Sequence, residues 1–152
     1  MVNGDFADTD LSDWQAAYWG QNEGVSMFHE VSATPFGDGT TNYISYNKRT
    51  SPYQCFAQDI TSCVVQNEIY TFSFWAKLSD DYIGAPADQR VVQFAPYTVD
   101  KDGVADYNPK LDGTYTQVLE PGVWTKFEGT YKVTNANEVA QVVVRILEQG
   151  TN

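Results

Sequence analysis

The stretch Ile69-Tyr70-Thr71-Phe72-Ser73-Phe74-Trp75-Ala76-Lys77 has a period of two along its whole length. Because successive side chains of a strand point to opposite faces of a sheet, this period predicts a strand with one face in a core. We expect Phe72, Phe74 and Ala76 to face the core. The opposite face would carry Thr71, Ser73, Trp75 and Lys77.

The same alternation recurs along the chain, without helical periodicity. Further strands are predicted at Val25–Val31, Tyr43–Tyr46, Gln89–Tyr97, Trp124–Val133 and Val139–Leu147. Clusters of Gly, Asp and Pro separate them, at residues 36–39, 79–81, 100–103 and 120–122. Many short strands divided by such turns are typical of an all-β antiparallel β-sandwich, and we expect a jelly roll.

Two long segments between the predicted strands lack a regular pattern. They are Leu78–Asp88 and Asp100–Asp112. Rigid sandwiches commonly place function on such connections, so both segments are candidate binding loops.

The composition restricts the size of the fold and the kinds of partner. The 152 residues are predicted to form one domain, residues 1–152. The 10 Tyr, 8 Phe and 4 Trp exceed what packing requires, and the excess of Tyr indicates rings whose hydroxyls lie near water. The net charge of −11 argues against nucleic acid and anionic membranes as partners, because both require a surplus of Lys and Arg. No apolar run has the length of a membrane span, and no signal-like segment is visible.

Two cysteines, Cys55 and Cys63, lie eight positions apart. Either a disulfide joins them and closes a turn, which a secreted protein would favour, or they are free or differently paired thiols. No CxxC motif or His–Cys cluster accompanies them, which argues against a zinc site.

Little in the sequence is typical of catalysis. Acidic residues concentrate in turns, where solvated turn chemistry accounts for them. The single histidine, His29, alternates with apolar residues, which favours a half-buried structural role over that of a base or ligand. A nucleophile elbow, a phosphate-binding loop and a dinucleotide fingerprint are all absent.

Several motifs follow one another in the order and spacing of a known family. The chain opens with Asn3-Gly4-Asp5-Phe6 and Leu11-Ser12-Asp13-Trp14, and continues with Arg49-Thr50-Ser51-Pro52-Tyr53-Gln54, Gln58-Asp59-Ile60-Thr61, the strand Tyr70–Lys77 and the stretch Pro121–Tyr131. From Asn3 to about Glu148 the chain resembles a family 22 carbohydrate-binding module, whose plan families 4, 9 and 16 share. The resemblance implies a β-sandwich of the galactose-binding-like fold.

The resemblance also implies which side chains bind sugar. A pyranose has an apolar C–H face that packs on aromatic rings and a belt of hydroxyls that bind amides, carboxylates and Arg. Tyr53 matches the family's stacking ring, and Glu148 matches a carboxylate that accepts hydrogen bonds from hydroxyls. The other expected carbohydrate-binding residues are Tyr18, Trp19, Arg49, Gln54, Arg90, Gln93, Tyr97 and Arg145.

Structural roles are the alternative for several of these residues. Tyr53 would then be a partly exposed packing ring, Arg90 a solvated or salt-bridged strand residue, and Glu148 an exposed or structural carboxylate. Among the tryptophans, Trp14 and Trp124 are expected in the core.

Modules that resemble this chain often hold one structural Ca²⁺ near the N-terminus through carboxylate and backbone oxygens. The resemblance implies such an ion here, with Asp5 and Asp38 as side-chain ligands. The chain departs from the family pattern in two places. Ala7 stands where an acidic residue commonly follows the opening Asp-Phe, and residues 149–152 do not resemble the family's final strand with its acidic pair.

The residues and the resemblance together predict a non-catalytic carbohydrate-binding module from a secreted bacterial plant-cell-wall hydrolase. Its ligand would be a β-1,4-linked polysaccharide chain bound across one sheet. Xylan is one candidate, and mixed-linkage β-glucan or cellulose is the other. Its task would be to hold an appended glycoside hydrolase at the substrate. A small jelly-roll glycanase or polysaccharide lyase is the alternative, and a structural sandwich that binds protein is a third.

Overall fold

The computed structural model describes residues 9–15, 26–37, 39–47, 55–82, 90–107 and 110–148. Within these ranges the chain forms eleven strands and one short 3₁₀ helix, Thr61–Cys63. The strands are β1 Ser26–Phe36, β2 Thr40–Asn47, β3 Phe56–Asp59, β4 Ile69–Ala76, β5 Val91–Phe94, β6 Tyr97–Asp100, β7 Ala105–Asp106, β8 Lys110–Thr114, β9 Thr116–Val118, β10 Thr125–Lys132 and β11 Val139–Glu148. No helix in this part of the chain is long and apolar enough to cross a membrane.

β4, β10 and β8 form a three-stranded antiparallel sheet with β10 in the middle. β4 and β10 pair along their whole length. Phe72 is buried, and Phe74 and Ala76 pack against the same core. The inner face predicted from the alternation of this strand is therefore confirmed.

The second, larger sheet is built around β11, which is hydrogen bonded along both edges. β3 lies along one edge. β5 and β6 lie end to end along the other, since Ile146 pairs with Phe94 and Val143 pairs with Tyr97. β9 continues the sheet beside β5, and β7 continues it beside β6.

The single strand predicted at Gln89–Tyr97 is interrupted in the structure, and the prediction is wrong at this point. β5 ends before Ala95 and Pro96, and β6 begins after them. Pro96 has no N–H to donate to a neighbouring strand. The Ala95 N–H still donates to the Arg145 carbonyl at 2.8 Å, which keeps β5 and β6 in one register along β11.

The two sheets pack face to face around an aromatic core. Phe72 of the smaller sheet stacks on Phe94 of the larger one, with ring centroids 4.2 Å apart, and Phe127 stacks on Phe74 at 4.7 Å. The aliphatic part of the core consists of Leu78, Val92, Leu119, Val133, Val142 and Val144. The architecture is thus the predicted all-β antiparallel sandwich.

β1 and β2 form a two-stranded hairpin whose tip packs on the outer face of the smaller sheet. The Phe36 ring stacks on Trp124, with centroids 3.8 Å apart and an interplanar angle of 8°. Gly37, at φ 58°, lies so close to Trp75 that a Cβ atom would be 2.5 Å from the indole ring. Trp124 is therefore half-buried outside the core, and its predicted core position is wrong.

Other predictions also have definite outcomes. Trp14 is buried and His29 is half-buried, as expected. Cys55 is buried, Cys63 is exposed, and no disulfide joins them, so the disulfide alternative is wrong. The segment Asp100–Asp112, which we expected to be irregular, contains β7 and the start of β8.

Candidate functional site

The face of the larger sheet that points away from the core carries a second cluster of side chains. Residues that pair across antiparallel strands share a face. Val143 pairs with Tyr97 and Arg145 with Ala57, whereas Val144 belongs to the core between the sheets. We call the following residues the outer-face cluster: Cys55, Ala57, Gln93, Tyr97, Val99, Tyr107, Val143, Arg145 and Leu147.

Tyr97, Tyr107 and Arg145 form the centre of this cluster. The guanidinium carbon of Arg145 lies 4.7 Å from the ring centroid of Tyr97 and 5.5 Å from that of Tyr107. The two rings are 5.4 Å apart and tilted by 35°. Arg145 Nε donates a hydrogen bond of 2.8 Å to the Ala95 carbonyl. Because a cation within about 6 Å of a ring is attracted to its π face, one guanidinium holds both tyrosines.

The three side chains differ in their exposure to solvent. Tyr97 is 8% exposed and Arg145 is 7% exposed, whereas Tyr107 is 38% exposed. Of these three side chains, that of Tyr107 is therefore the most accessible to a molecule in solution. An exposed ring beside polar side chains can pack on the apolar face of a sugar while its neighbours bind hydroxyls.

A tight turn after β6 folds the chain back along the sheet. The Asp100 carboxylate accepts hydrogen bonds from the backbone N–H groups of Asp102 and Val104, at 2.9 and 2.8 Å. Gly103 has φ 81°, a left-handed conformation that glycine adopts without steric cost. As a result β7 pairs with β6, and Tyr107, directly after β7, reaches the outer-face cluster.

The ionised Asp100 carboxylate makes the stability of this turn depend on pH. Hydrogen bonds from Asn137 Nδ2, at 2.7 Å, and from the Val104 N–H lower the pKa of the Asp100 carboxyl below its ordinary value. A carboxyl with a lowered folded-state pKa stabilises the protein above its unfolded pKa, and this contribution is lost as the pH falls through the folded pKa. We therefore expect Asp100→Asn to lower the free energy of unfolding more at about pH 7 than at about pH 2 in urea titrations.

Asp102→Asn is the matched control for this prediction. The Asp102 side chain is exposed, and the residue joins the turn through its backbone N–H, which the substitution keeps. Its effect on the free energy of unfolding should be small. If Asp100→Asn lowered the free energy of unfolding equally at the two pH values, the role of the ionised carboxylate would be contradicted.

Three residues predicted from the sequence lie together on the outer face: Gln93, Tyr97 and Arg145. Gln93 is half-buried and pairs with residues of β9 and β11. Arg90 lies just before β5, and its guanidinium carbon is 5.8 Å from the ring centroid of Tyr82, which packs against the core between the sheets. Arg90 is therefore not part of the outer-face cluster.

The remaining predicted site residues lie wholly or partly outside the described residues. Glu148 ends β11 with its backbone opposite Val92, and its side chain lies outside the description. Seven residues lie entirely outside it: Tyr18, Trp19, Arg49, Tyr53 and Gln54, and the predicted calcium ligands Asp5 and Asp38. Their assignments stay predictions. Among the residues that the structure describes, no group of three or more His, Cys, Asp or Glu could hold a metal ion.

The sequence does not single out Tyr107. It lies in Asp100–Asp112, which was expected to be a binding loop, but no alternation marks it. The available signal is the turn from Asp100 to Gly103, whose residue types favour a chain reversal. A reversal at that point brings the following residues back along β6, and therefore beside Tyr97.

A second group of aromatic rings lies on the other side of the sandwich and has a packing role. Phe36 and Trp124 stack on each other, and Tyr43 packs edge-on against both, at 6.3 and 5.7 Å between centroids. Lys77 Nζ lies 5.8 Å from the Trp124 ring centroid. Because these rings cover one another, they anchor the hairpin tip to the smaller sheet.

Comparison with known families gives a match over nearly the whole chain. The sequence profile of a family described as a carbohydrate binding domain, covering carbohydrate-binding modules of families 4 and 9, matches residues 1–149. No curated protein sequence matches the chain significantly.

Solved structures share the fold. The CBM22-1 xylan-binding domain of Paenibacillus barcinonensis Xyn10C has a TM-score of 0.72 at 16% identity, over 97% of this chain and 82% of that chain. The CBM22-2 xylan-binding domain of the same Xyn10C has a TM-score of 0.71 at 16% identity, over 95% and 81%. The CBM22-1–GH10 modules of Clostridium thermocellum endo-1,4-beta-D-xylanase 10B, in complex with xylohexaose, have a TM-score of 0.69 at 12% identity, over 93% and 24%. At these identities the likeness establishes the β-sandwich fold.

Proposed function

We propose that this chain, which belongs to the carbohydrate-binding domain family, is a non-catalytic module that binds β-1,4-linked chains of plant cell-wall polysaccharide. The observation that carries the proposal is the outer-face cluster. There the exposed Tyr107 ring lies beside Arg145, on the face of the larger sheet that points away from the core between the two sheets. Such a ring can bury the apolar side of a sugar while polar neighbours bind its hydroxyls.

Xylan is the ligand that we propose first. Two solved structures with the same fold are described as xylan-binding domains, and a third is a complex with xylohexaose. These descriptions belong to those proteins and support the same ligand class here. Mixed-linkage β-glucan and cellulose chains, which contain the same β-1,4 linkage, are the second choice.

The proposed task is to keep an attached enzyme near its substrate. Tethering raises the local concentration of enzyme at the polysaccharide without any new contact between the two. In the Clostridium thermocellum structure, a GH10 module lies in the same chain as the CBM22-1 module. The present chain covers 24% of that longer chain. We infer that this chain is a secreted targeting module appended to a glycoside hydrolase. A structural calcium ion stays a separate prediction that rests on Asp5 and Asp38.

Affinity electrophoresis tests the proposed binding. In native gels that contain xylan, mixed-linkage β-glucan or galactomannan, we expect the protein to migrate more slowly than in a gel without polysaccharide. The retardation should be largest in xylan. Calorimetric titrations with xylohexaose, cellohexaose and mannohexaose then rank the three backbones, and we expect xylohexaose to bind most tightly.

Two results would overturn the proposal. The first is unchanged migration in all three gels. The second is chemical change of the ligand: chromatography of xylohexaose after long incubation should recover it intact, whereas progressive shortening would support the glycanase alternative.

A further inference from the structure

We propose that the bond between Asp112 and Gly113 is a site of spontaneous covalent change, at which Asp112 isomerises to isoaspartate and loosens the edge strand β8. This property does not depend on the proposed function. The sequence contains three Asp-Gly pairs, at residues 38–39, 102–103 and 112–113. The hydrogen bonds of their glycines set the last pair apart.

Two of the three glycines donate their N–H to a backbone carbonyl. Gly39 donates to the Phe36 carbonyl at 2.9 Å, and Gly103 donates to the Asp100 carbonyl at 3.0 Å. Gly113 donates to Oδ1 of Asp112, the side chain directly before it, at 2.9 Å. At this pair the backbone nitrogen and the carboxyl that react with each other are therefore already in contact.

The reaction is a rearrangement of the chain in which water is the only other reactant. The Gly113 nitrogen attacks Cγ of the neutral Asp112 carboxyl, an N–Cγ bond forms, and the carboxyl hydroxyl leaves with the amide proton as water. The product is a cyclic imide, to which water then adds. Addition at Cγ breaks the N–Cγ bond and restores aspartate. Addition at the α-carbonyl breaks the original peptide bond and leaves isoaspartate, which has the same mass as the parent residue.

The surroundings of the pair favour ring closure. Holding two reacting groups in contact converts an encounter into an intramolecular step. Gly113 has no Cβ to shield its nitrogen and lies at φ 100°. Asp112, Gly113 and Thr114 are exposed, so water reaches the bond. In the described part of the smaller sheet β8 is an edge strand, and local opening at an edge allows the rotation that ring closure requires.

The pair Asp102–Gly103 has the same two residues in a protected setting. The Asp100 carboxylate binds the N–H groups of Asp102 and Val104, and the Asp100 carbonyl binds the N–H of Gly103. The Gly103 nitrogen must give up its hydrogen bond within this turn before it can reach the Asp102 carboxyl. A difference in reactivity between the two pairs therefore reports on the fold.

Isoaspartate disturbs the fit of β8 to β10. The main chain then runs through Cβ and Cγ of Asp112, which adds one backbone atom before Gly113. Gly113 pairs with Gly129 and Thr114 with Glu128, and this register requires the ordinary spacing of the strand. The former α-carbonyl becomes a carboxylate at a place where the backbone of Gly129 lies so close that a Cβ there would overlap the Asp112 oxygen.

Peptide mapping after ageing tests the proposal. The whole protein is kept in warm, mildly acidic buffer made with heavy-oxygen water, and is then digested with trypsin in ordinary water. Cleavage after Lys101, Lys110 and Lys126 places the two pairs in separate peptides, 102–110 and 111–126, and Asp112 is the only Asp or Asn of the second. We expect severalfold more isoaspartate at Asp112 than at Asp102, measured by fragmentation and by isoaspartyl methyltransferase. Heavy oxygen should be incorporated at Asp112.

Ageing in guanidinium chloride is the control for the folded geometry. In the unfolded chain both pairs lose their different hydrogen bonds, so Asp112 and Asp102 should isomerise at similar rates. Equal amounts of isoaspartate at the two positions of the folded protein overturn the proposal. The same ratio of the two in native buffer and in denaturant also overturns it.

Asp112→Glu is the matched variant. Glutamate keeps the charge but closes a larger ring, so isoaspartyl methyltransferase should no longer label peptide 111–126, while labelling of peptide 102–110 stays at the parent level. Hydrogen exchange then tests the effect on the strand. Isomerised protein, separated by chromatography, should exchange the amides of Lys110–Thr114 faster than fresh protein and than aged Asp112→Glu. Equal exchange in all three samples overturns the loosening of β8.

Discussion

Phe127→Ala is expected to lower the free energy of unfolding by about 3–5 kcal/mol, the range for truncation of a buried phenylalanine. Phe127 is fully buried in β10, and its ring stacks on Phe74 with centroids 4.7 Å apart. The two residues pair across β10 and β4, so the hydrogen bonds of the sheet prevent the neighbouring backbone from filling the space. Since domains of this kind have a total stability of about 5–15 kcal/mol, urea denaturation should show a large shift of the midpoint.

Phe28→Ala provides the comparison, because Phe28 is 47% exposed and the substitution removes the same atoms from the surface. Its effect should stay within about 0.5 kcal/mol. If Phe127→Ala cost less than about 1 kcal/mol, the core between the two sheets would not depend on the Phe127 ring. The outer-face cluster lies on the far side of the larger sheet, so the folded fraction of Phe127→Ala should still bind xylohexaose.

The long strands could be predicted because alternation records which face of a strand is buried. The predicted strands Val25–Val31, Tyr43–Tyr46, Trp124–Val133 and Val139–Leu147 correspond to β1, β2, β10 and β11. In β10, for example, Phe127 and Tyr131 are buried, whereas Lys126 and Glu128 are exposed. The residue pattern therefore carries both the strand and its orientation.

The short strands could not be predicted in this way, because pairing with neighbours makes them strands. β7 has two residues, too few for any period. β8 contains Asp112 and Gly113, residue types that are typical of turns. It becomes an edge strand because β10 offers it backbone partners along five residues. The side-chain pattern alone does not predict such pairing.

The candidate site shows the same division. Gln93, Tyr97 and Arg145 share a face because β5 and β6 pair with β11 in one register, and the sequence analysis names all three from the family resemblance. Tyr107 joins them through a turn, so its position depends on where the chain reverses. Trp124 is a related case: its apolar character predicts burial, but the hairpin tip that covers it comes from another part of the chain.

Gly129→Ala is expected to cost about 3 kcal/mol or more, the upper end for overpacking. Gly129 of β10 pairs with Gly113 of β8, and the two strands approach closely at this pair. A Cβ at Gly129 would overlap the carbonyl oxygen of Asp112 and lie 3.0 Å from Phe72 Cζ. The oxygen belongs to the backbone and the ring belongs to the core, so β8 must move away from β10 to make room.

Gly39→Ala separates this overlap from a backbone effect. Gly39 has φ 100° in open space, so an alanine there meets only the left-handed penalty of about 1–2 kcal/mol. Gly129 has no such backbone conformation, and its cost should come from the displaced strand. Hydrogen exchange should then accelerate in β8, Lys110–Thr114, more than in β4. The alternative outcome is a loss of unfolding free energy for Gly129→Ala no greater than that for Gly39→Ala, with β8 still protected from hydrogen exchange. The close pair of Gly113 and Gly129 would then not be what holds this edge strand to the sandwich.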